Sequence, residues 1–272
     1  MITIKEALTK KEMKDYVMFS FELYKNNPYW IPPIIAEELE TFDKTKNPAL
    51  QTAEAHFYLA YKDNKIVGKI AAIINWEEVN LLGKRKARFG WFDAIDDIEV
   101  TKALLDKVEE LGRKHNMDHM EGPMGFSNLD KVGILSEGFD QMGNMITWYS
   151  LPYYITHFEQ LGFIKEKEYT ESDFSFNGIN PEPFQKASEL IKKRYELRSL
   201  NFTKTKDIMP YVDKMFDLFN ETYAKLQSFV PINDIQKAYF KKKYISFINP
   251  EFIKFIVDKN DNMIALDRKS TR

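Results

Sequence analysis

The chain has 272 residues, 44% hydrophobic and 29% charged, which suits one large or two modest globular domains. Its net charge of −2, from 39 basic and 41 acidic residues, argues against general binding of nucleic acid or of a membrane surface. The absence of cysteine excludes disulfides and thiolate catalysis. Because the sequence shows neither a signal segment nor an apolar run near the ~20 residues of a membrane span, we expect a cytoplasmic protein.

The N-terminal part alternates short strands with helices. Ile2–Ile4 is predicted as a strand, and Thr9 as the cap of a helix that ends near Asn26. The prolines of NNPYWIPP require an extended or turned segment, after which IIAEELETFD is predicted as a short helix. HFYLAYKDNKIVGKIAAIIN is predicted as a hairpin with its turn at Lys62–Lys65. A polar excursion is expected over Trp76–Lys86.

The middle of the chain carries a strand that turns directly into a helix. The strand is predicted over Ala87–Ile95, and the helix then runs to about Asn116. Free backbone N–H groups at such a turn often bind phosphate. This turn contains Asp96, Asp97 and Glu99 and no glycine. Asp96 or Asp97 is therefore better suited to cap the helix than the turn is to hold an anion.

A glycine-rich loop over residues 122–143 follows and holds five of the eleven glycines. Glycine lets the backbone approach a ligand, so the loop is a candidate substrate site. Its candidate side chains are Ser127, Asn128, Asp130, Glu137 and Asp140. Glu137 or Asp140 is a candidate general base that deprotonates an amine. The alternative is that Asn128 and Asp130 form local turns with no ligand.

The C-terminal half contains an internal repeat. PYYITHFEQLGF is predicted as a helix that Gly162 stops, IKEKEYTESDFSF as a strand, NGINPEP as a linker and Phe184–Arg194 as a helix. KDIMPYVDKMFDLFNETYAKL then repeats the pattern of the first helix, and INPEFIKFIVDKNDNMIA that of the first hairpin. The last six residues, DRKSTR, match an in-frame adapter sequence. We therefore expect native coding to end near Leu266, within an unfinished second copy.

The element order in residues 1–176 and the segment YYITHFEQLGFIKEKEY resemble the GNAT acyltransferase superfamily. NPYWIPP, AIDDIEV, GPMGFSN and EGFD resemble, more narrowly, a bacterial group of tandem GNAT-like proteins. The resemblance implies an α/β fold with a mixed, splayed sheet flanked by helices over residues 1–176. It also implies the first half of a second GNAT-like domain over residues 177–266, before a non-native tail at residues 267–272.

The resemblance implies acyl transfer from a thioester such as acetyl-CoA to an amine on a small-molecule substrate, with acyl-CoA in the splay between the fourth and fifth strands. The superfamily's pyrophosphate motif falls on Asp96, Asp97, Glu99 and Thr101, and the chain departs from it at each position. A unit charge pair at 4 Å is worth about 4 kcal/mol at an effective dielectric near 20. The helix dipole contributes only ~0.3–1 kcal/mol per charge. We therefore expect a degenerate coenzyme A site here, an inactive chain, and a donor held by the second domain.

GNAT enzymes often use a tyrosine as general acid, four residues before the glycine of the late helix. This chain has Phe158 at that position, which has no proton to donate. Tyr149, Tyr153 and Tyr154 lie nearby in sequence, and Tyr149 and Tyr154 are the candidate catalytic residues. The alternative is that these tyrosines pack with their hydroxyl groups at the surface.

Other candidate sites and functions are weaker. His115 and His119 have the spacing of a metal pair, but they straddle a helix end without a third ligand, so no metal is predicted. His157 is expected to pack within the late helix. Lys192–Arg194 and Lys241–Lys243 are expected to be solvated helix faces. Two alternatives to an acyltransferase remain: a non-catalytic module that binds a small ligand or a protein, and a Fem-type aminoacyl transferase, which the lack of a basic excess disfavours.

Overall fold

The computed structural model describes residues 1–127, 130–144, 147–172, 175–226, 229–245 and 248–268. Their contacts divide the chain into two compact units. The first unit comprises Met1–Glu166 with Ser228–Val230, and the second comprises Lys167–Gln227 with Pro231–Arg272. Within the described ranges, no helix is both long and apolar enough to cross a membrane.

The first unit is built on a five-stranded mixed sheet. Its strands, in their order across the sheet, are β1 (Ile2–Glu6), β2 (Ala53–Lys62), β3 (Lys65–Asn75), β4 (Lys86–Ala94) and β5 (His119–Glu121). The first three pairings are antiparallel. The parallel pairing of β4 with β5 extends only from Lys86↔His119 to Arg88↔Glu121, so the two strands share just the beginning of β4.

Helices cover both faces of this sheet, as predicted. They are α1 (Lys10–Leu23), α2 (Ile35–Thr41), α3 (Ala49–Thr52), α4 (Trp76–Leu82), α5 (Ile98–Lys114) and α6 (Tyr153–Gln160). One face, here the α5 face, packs with α5 and α6 in a core that includes Ile70, Leu104 and Phe158. The other, here the α1 face, packs with α1 in a core that includes Tyr16 and Leu59. Each such buried side chain contributes about 1.5–3 kcal/mol.

The start of α1 follows the sequence prediction. Thr9 Oγ1 accepts the backbone N–H of Glu12 at 3.2 Å, and the Glu12 carboxylate accepts the backbone N–H of Thr9 at 2.8 Å. This reciprocal capping box satisfies two backbone donors that the helix leaves open. Tyr16, Val17 and Ser20 are buried on the face of α1 that meets the sheet.

A bulge in β4 decides which of its side chains face α1. Where the register shifts, two residues of β4, Trp91 and Phe92, stand opposite one residue of β3. Trp91 has a positive φ of 44°, which is unusual for a bulky residue. Trp91 joins the core on the α1 face and Phe92 the core on the α5 face. Asp93 then lies on the α1 face, where it contacts Ser20.

The polar excursion predicted over Trp76–Lys86 is wrong, because this segment contains helix α4. Asn75 caps the helix by accepting two backbone N–H groups. Glu78 of α4 is buried. Its charge is compensated, because its carboxylate lies 3.0 Å from Lys86 Nζ and 2.8 Å from Arg88 Nε. A hydrophobic pattern does not reveal a buried glutamate whose charge is compensated by basic side chains of another element. This explains why the helix was missed.

The segment after α6 also differs from the prediction. Gly162, with φ 85°, stops the helix as expected. The strand predicted over IKEKEYTESDFSF is wrong: residues 164–172 and 175–176 form no strand and are exposed. An alternating pattern becomes a strand only where a neighbouring strand takes up its backbone hydrogen bonds, and sequence alone does not supply that neighbour.

The second unit carries an antiparallel sheet of β6 (Arg198–Asn201), β7 (Ile253–Val257) and β8 (Met263–Arg268). Its α-helices, within the described residues, are α7 (Glu182–Arg194), α8 (Thr205–Ile208), α9 (Val212–Tyr223) and α10 (Asp234–Phe240). The order β6, α9, α10, β7, β8 repeats the order β1, α1, α2, β2, β3, in agreement with the repeat seen in the sequence. Strand β8 includes Asp267 and Arg268, at the start of the predicted tail.

Candidate functional site

The turn between β4 and α5 is closed by its own side chains. Asp97 is the N-cap of α5, as predicted: its carboxylate accepts the backbone N–H of Glu99 at 3.1 Å. The same carboxylate accepts the Lys62 ammonium group at 2.8 Å, and this hydrogen bond lowers the pKa of Asp97. A backbone donor that a phosphate would need is therefore already occupied by a carboxylate.

The remaining positions of the turn are equally unsuited to an anion. Thr101 is buried, and its hydroxyl lies 2.9 Å from His157 Nδ1. His157 Nε2 lies 3.2 Å from a carboxylate oxygen of Asp96. Asp96 and Glu99 are exposed. His157 packs within the first unit, as predicted, and the turn presents carboxylates where a pyrophosphate site needs positive charge or free N–H groups.

The candidate tyrosines are held by hydrogen bonds inside the first unit. The Tyr154 hydroxyl accepts the backbone N–H of Ala94 at 2.9 Å and donates to Asp93 at 3.2 Å. Burial, together with the Asp93 charge, raises the pKa of Tyr154 well above its usual range. The Tyr149 hydroxyl donates to the backbone oxygen of Phe139 at 2.7 Å. Neither hydroxyl is therefore an exposed proton donor. Both tyrosines form hydrogen bonds inside the first unit, whereas the alternative expected their hydroxyl groups at the surface.

The glycine-rich loop does not gather its candidate residues into one site. Asp130 accepts the backbone N–H of Ser127 at 3.1 Å, and burial raises the pKa of the Asp130 carboxyl. Glu137 and Asp140 are exposed. Asn128 lies outside the described residues. The described part of the loop thus closes on itself through Asp130.

The histidine pair also has a structural explanation. His115 Nε2 lies 3.0 Å from Glu54, and its ring stacks edge-on against Trp76 with centroids 5.1 Å apart. His119 is exposed at the start of β5. Among the described residues, no three or more histidine, cysteine, aspartate or glutamate side chains are arranged to hold a metal ion.

A cavity of about 60 Å³ opens on the α1 face of the first unit, and we call it the α1-face cavity. Aromatic rings form much of its wall: Tyr24, Trp30, Trp91, Trp148 and Tyr149. Its ionisable side chains are Glu38, Lys69, Asp93 and Lys131. Aromatic walls with several convergent charged groups make this small cavity a candidate site for a small ligand. Of the residues predicted from sequence to be catalytic, Tyr149 lines this cavity.

Asp93 is the central polar residue of the α1-face cavity. Its carboxylate accepts the Ser20 hydroxyl at 2.6 Å, the Tyr24 hydroxyl at 2.8 Å and the Tyr154 hydroxyl at 3.2 Å. Hydrogen bonds to a charged acceptor are the stronger ones, so this network holds α1, β4 and α6 together. Asp93 lies three residues before the turn on which the sequence reasoning concentrated.

Lys69 lies beside Asp93 on the neighbouring strand. The two residues are register partners in β3 and β4, and Lys69 Nζ lies 3.6 Å from an Asp93 oxygen. The ammonium group also sits over the ring of Tyr16, 4.9 Å from its centroid. Lys69 is only 4% exposed, which is rare for lysine and requires this compensation.

Glu38 and Lys131 complete the ionisable groups of the cavity. Burial raises the pKa of Glu38, although the ammonium groups of Lys69 and Lys131 oppose the shift. Burial lowers the pKa of Lys131. Trp148 contributes an indole N–H that is buried and has no hydrogen-bond acceptor among the described residues. Glu38 also accepts a hydrogen bond from the Trp91 indole. The site therefore holds a carboxylate with one neutral donor beside it and two ammonium groups nearby.

Sequence reasoning missed Glu38, Lys69, Asp93 and Lys131. Two of them carried a usable signal, since Lys69 is the single charge in IVGKIAAII and Asp93 is the single carboxylate in ARFGWFDAI, which also contains Arg88. A charge at such a position is buried on one face or the other and needs a partner. Glu38 and Lys131 occupy polar segments, where a charged residue draws no notice.

Comparison with known proteins identifies the architecture. No family model matches the chain. A tandem GNAT protein from the clavulanic acid biosynthesis pathway, solved without acetyl-CoA, aligns with 100% of this chain and 76% of its own length, at a TM-score of 0.50 and 11% identity. This chain has the GNAT fold. The resemblance found in the sequence is thereby confirmed at the level of the fold.

Two curated proteins are similar to this GNAT-fold chain in sequence. Protein YghO of Escherichia coli (strain K12) is 28% identical over 240 residues, which are 86% of this chain and 60% of that protein. The bacterial ceramide synthase of Caulobacter vibrioides (strain NA1000 / CB15N) is 23% identical over 249 residues, which are 91% of this chain and 64% of that protein. The chain thus spans between 60% and 64% of the length of these relatives.

Proposed function

We propose that this chain forms the acceptor-binding part of an N-acyltransferase, which moves an acyl group from a thioester to a primary amine. The observation that carries the proposal is Glu38, a carboxylate on the wall of the α1-face cavity whose pKa is raised by burial. An amine must lose a proton before it attacks, and a base with a pKa near the working pH does this best. The GNAT fold is compatible with this reaction class but does not by itself assign a function.

The proposed reaction proceeds as follows. Glu38 removes one proton from the bound ammonium group and leaves a neutral amine. The nitrogen lone pair then forms a C–N bond to the thioester carbonyl carbon, and the C–S bond breaks as the tetrahedral intermediate collapses. The nitrogen loses its second proton and the leaving thiolate gains one, so that the products are an amide and a thiol. A ceramide, which the name of the Caulobacter relative contains, is also an amide of this kind.

In this proposal Asp93 is a positioning residue. Its oxygens already accept three hydroxyl groups, from Ser20, Tyr24 and Tyr154. It therefore has little capacity left for a ligand, but it lies 3.6 Å from the Lys69 ammonium group and fixes the aromatic wall through Tyr24. A base that works at a cavity wall needs such a rigid surround to hold the substrate in place.

We further propose that the acyl donor binds away from the turn between β4 and α5. A diphosphate there would meet Asp96, Asp97 and Glu99, and each unit pair at 4 Å costs about 4 kcal/mol at an effective dielectric near 20. The dipole of α5 stabilises an anion at this end of the helix by only ~0.3–1 kcal/mol per charge. Coenzyme A, as the donor, is then not held at this turn, and this chain alone does not turn over acetyl-CoA.

A second candidate function is a non-catalytic module that binds a small ligand in the same cavity. Phe158, which is buried and lacks a hydroxyl, and the Asp97 cap of α5 favour this alternative. Both candidates predict binding in the α1-face cavity. They differ in whether Glu38 accelerates a reaction.

The first experiment measures amine binding by calorimetry, with 2-aminopropane-1,3-diol and L-serine as probes. Glu38→Gln removes the ion pair with the ammonium group, which is worth about 1.5–3 kcal/mol, so we expect at least about tenfold weaker binding of both probes. Glu37→Gln is the matched control, because Glu37 is the neighbouring residue of α2 and is exposed. Equal binding by the wild type and the Glu38→Gln variant contradicts the proposed acceptor site.

The second experiment measures catalysis with S-acetyl-N-acetylcysteamine, a thioester without a diphosphate. The chain contains no cysteine, so a thiol-reactive dye reports only the thiol that is released. We expect the wild type to accelerate aminolysis by about 10²-fold or more over Glu38→Gln, and Glu37→Gln to match the wild type. Amine binding without acceleration supports the binding module instead. Micromolar binding of acetyl-CoA contradicts the proposed location of the donor.

A further inference from the structure

The charges of the α1-face cavity are not all paired. Lys69 and Asp93 lie 3.6 Å apart and compensate each other. For Glu38 and Lys131, no oppositely charged side-chain atom among the described residues lies within 4.0 Å. One carboxylate and one ammonium group thus face the same small cavity without an ion-pair partner.

Hydrogen-bond donors are in excess on this cavity wall. Within the described residues, Lys69 Nζ makes no hydrogen bond, because its nearest carboxylate oxygen is 3.6 Å away. Lys131 adds three further N–H donors. Glu38, which already accepts a hydrogen bond from the Trp91 indole, is the carboxylate that faces them, since the Asp93 oxygens are occupied by hydroxyl groups. The complementary ligand has one cationic donor and several anionic acceptor atoms.

We infer that the acceptor amine is an α-amino carboxylate, whose ammonium group contacts Glu38 and whose carboxylate is bound by Lys131 and Lys69. The inference rests on the proposed function and deepens it by naming the substrate class. An amino alcohol, which carries no carboxylate, would offer Lys131 no counter-ion. Lys131 is partly buried, and a charge in such a place costs free energy when it has no partner, so this pairing discriminates between the two classes.

The size of the cavity agrees with this ligand. A water molecule needs ~10–15 Å³ of such space, so a cavity of about 60 Å³ has room for roughly four to six groups of that size. The ammonium nitrogen, the α-carbon and the carboxylate of an amino acid are five heavy atoms. The aromatic walls then contact the α-carbon and the start of the side chain, while the rest extends toward the opening.

The test compares three matched probes on the 272-residue chain by calorimetry. L-serine carries both charged groups, 2-aminopropane-1,3-diol replaces the carboxylate by a hydroxymethyl group, and 3-hydroxypropanoate lacks the amine. We expect L-serine to bind at least about tenfold more tightly than either of the other two, as a charged hydrogen bond is worth ~1.5–3 kcal/mol. Lys131→Met is expected to remove the difference between L-serine and the diol. The matched control Lys65→Met, at an exposed lysine of β3, is expected to preserve it.

The outcomes separate this inference from the proposed function. Equal binding of L-serine and the diol, both weakened by Glu38→Gln, overturns the amino-carboxylate class and leaves the amine site intact. Tighter binding of the diol also overturns it, in favour of an amino alcohol without a carboxylate. If neither amine binds, the proposed function itself fails. Lys69→Met serves as a second variant, and its thermal unfolding is measured first because Lys69 is buried.

Discussion

Replacement of Asp93 by asparagine is the sharpest test of the network beneath the α1-face cavity. The substitution keeps the shape of the side chain and removes its charge. It takes away the charged acceptor of the Ser20 and Tyr24 hydroxyls, which lie 2.6 Å and 2.8 Å from the carboxylate. It also leaves Lys69, which is 4% exposed, without a counter-ion 3.6 Å away.

The expected loss of stability follows from these contacts. Removing one partner of a buried ion pair costs ~3–5 kcal/mol, and each hydrogen bond to a charged group is worth ~1.5–3 kcal/mol. The hydroxyl groups can turn toward the amide oxygen, and Lys69 keeps its contact with the Tyr16 ring, 4.9 Å from the centroid. We therefore expect a loss of about 3 kcal/mol, at the lower end of the range. Ser20→Ala, which keeps the charge and removes one hydrogen bond, is expected to cost about 1–2 kcal/mol.

The assay is urea unfolding followed by tryptophan fluorescence. All four tryptophans (Trp30, Trp76, Trp91 and Trp148) lie in the first unit, so the signal reports that unit even if the second unfolds separately. The double variant with Asp93→Asn and Lys69→Met removes both charges. We expect it to be less destabilised than the sum of the single variants by at least about 1 kcal/mol. A loss below about 0.5 kcal/mol for Asp93→Asn refutes the reasoning, because exposed positions behave that way.

Three further predictions concern the cap and two shifted carboxyl groups. Asp97→Ala is expected to cost about 1 kcal/mol in urea unfolding through loss of the N-cap, whereas Asp97→Asn retains most of it; equal losses contradict a capping role. Partial burial acts to raise the pKa of Glu54, but hydrogen bonds, led by the one from His56, lower it to about 2. Its contribution to stability is thus present above pH ~4.5 and lost as the pH falls toward 2, and Glu54→Gln is expected to flatten the acid limb of the stability–pH curve. Burial raises the pKa of Glu38, so its negative charge opposes folding at pH values above the normal carboxyl pKa. Glu38→Gln is therefore expected to leave the thermal stability at pH 7 unchanged or higher. A marked loss of thermal stability contradicts this.

Local sequence patterns predicted the elements whose causes are local. The predicted caps at Thr9 and Asp97 depend on residues two or three positions apart. The stop of α6 at Gly162 depends on one positive φ. These features can be read from the printed sequence because the atoms that stabilise them are neighbours in the chain.

The failures have the opposite cause. The segment at residues 164–176 alternates like a strand, but a strand exists only where another one pairs with it. Helix α4 was missed because Glu78 is buried through ion pairs with Lys86 and Arg88, on a different element. The residue types were compatible with more than one structure, and partners distant in sequence selected one of them.

The sequence by itself determined the fold class, the two-fold repeat of its elements and the acidic, self-capped turn before α5, since each follows from spacing along the chain. Only the tertiary structure decided where a ligand would bind. The α1-face cavity joins Glu38, Lys69, Asp93 and Lys131 from four separate segments, and a bulge at Trp91 turns Asp93 toward it. Burial, charge pairing and the resulting pKa values depend on distances through space, which no pattern of residue types along the chain encodes.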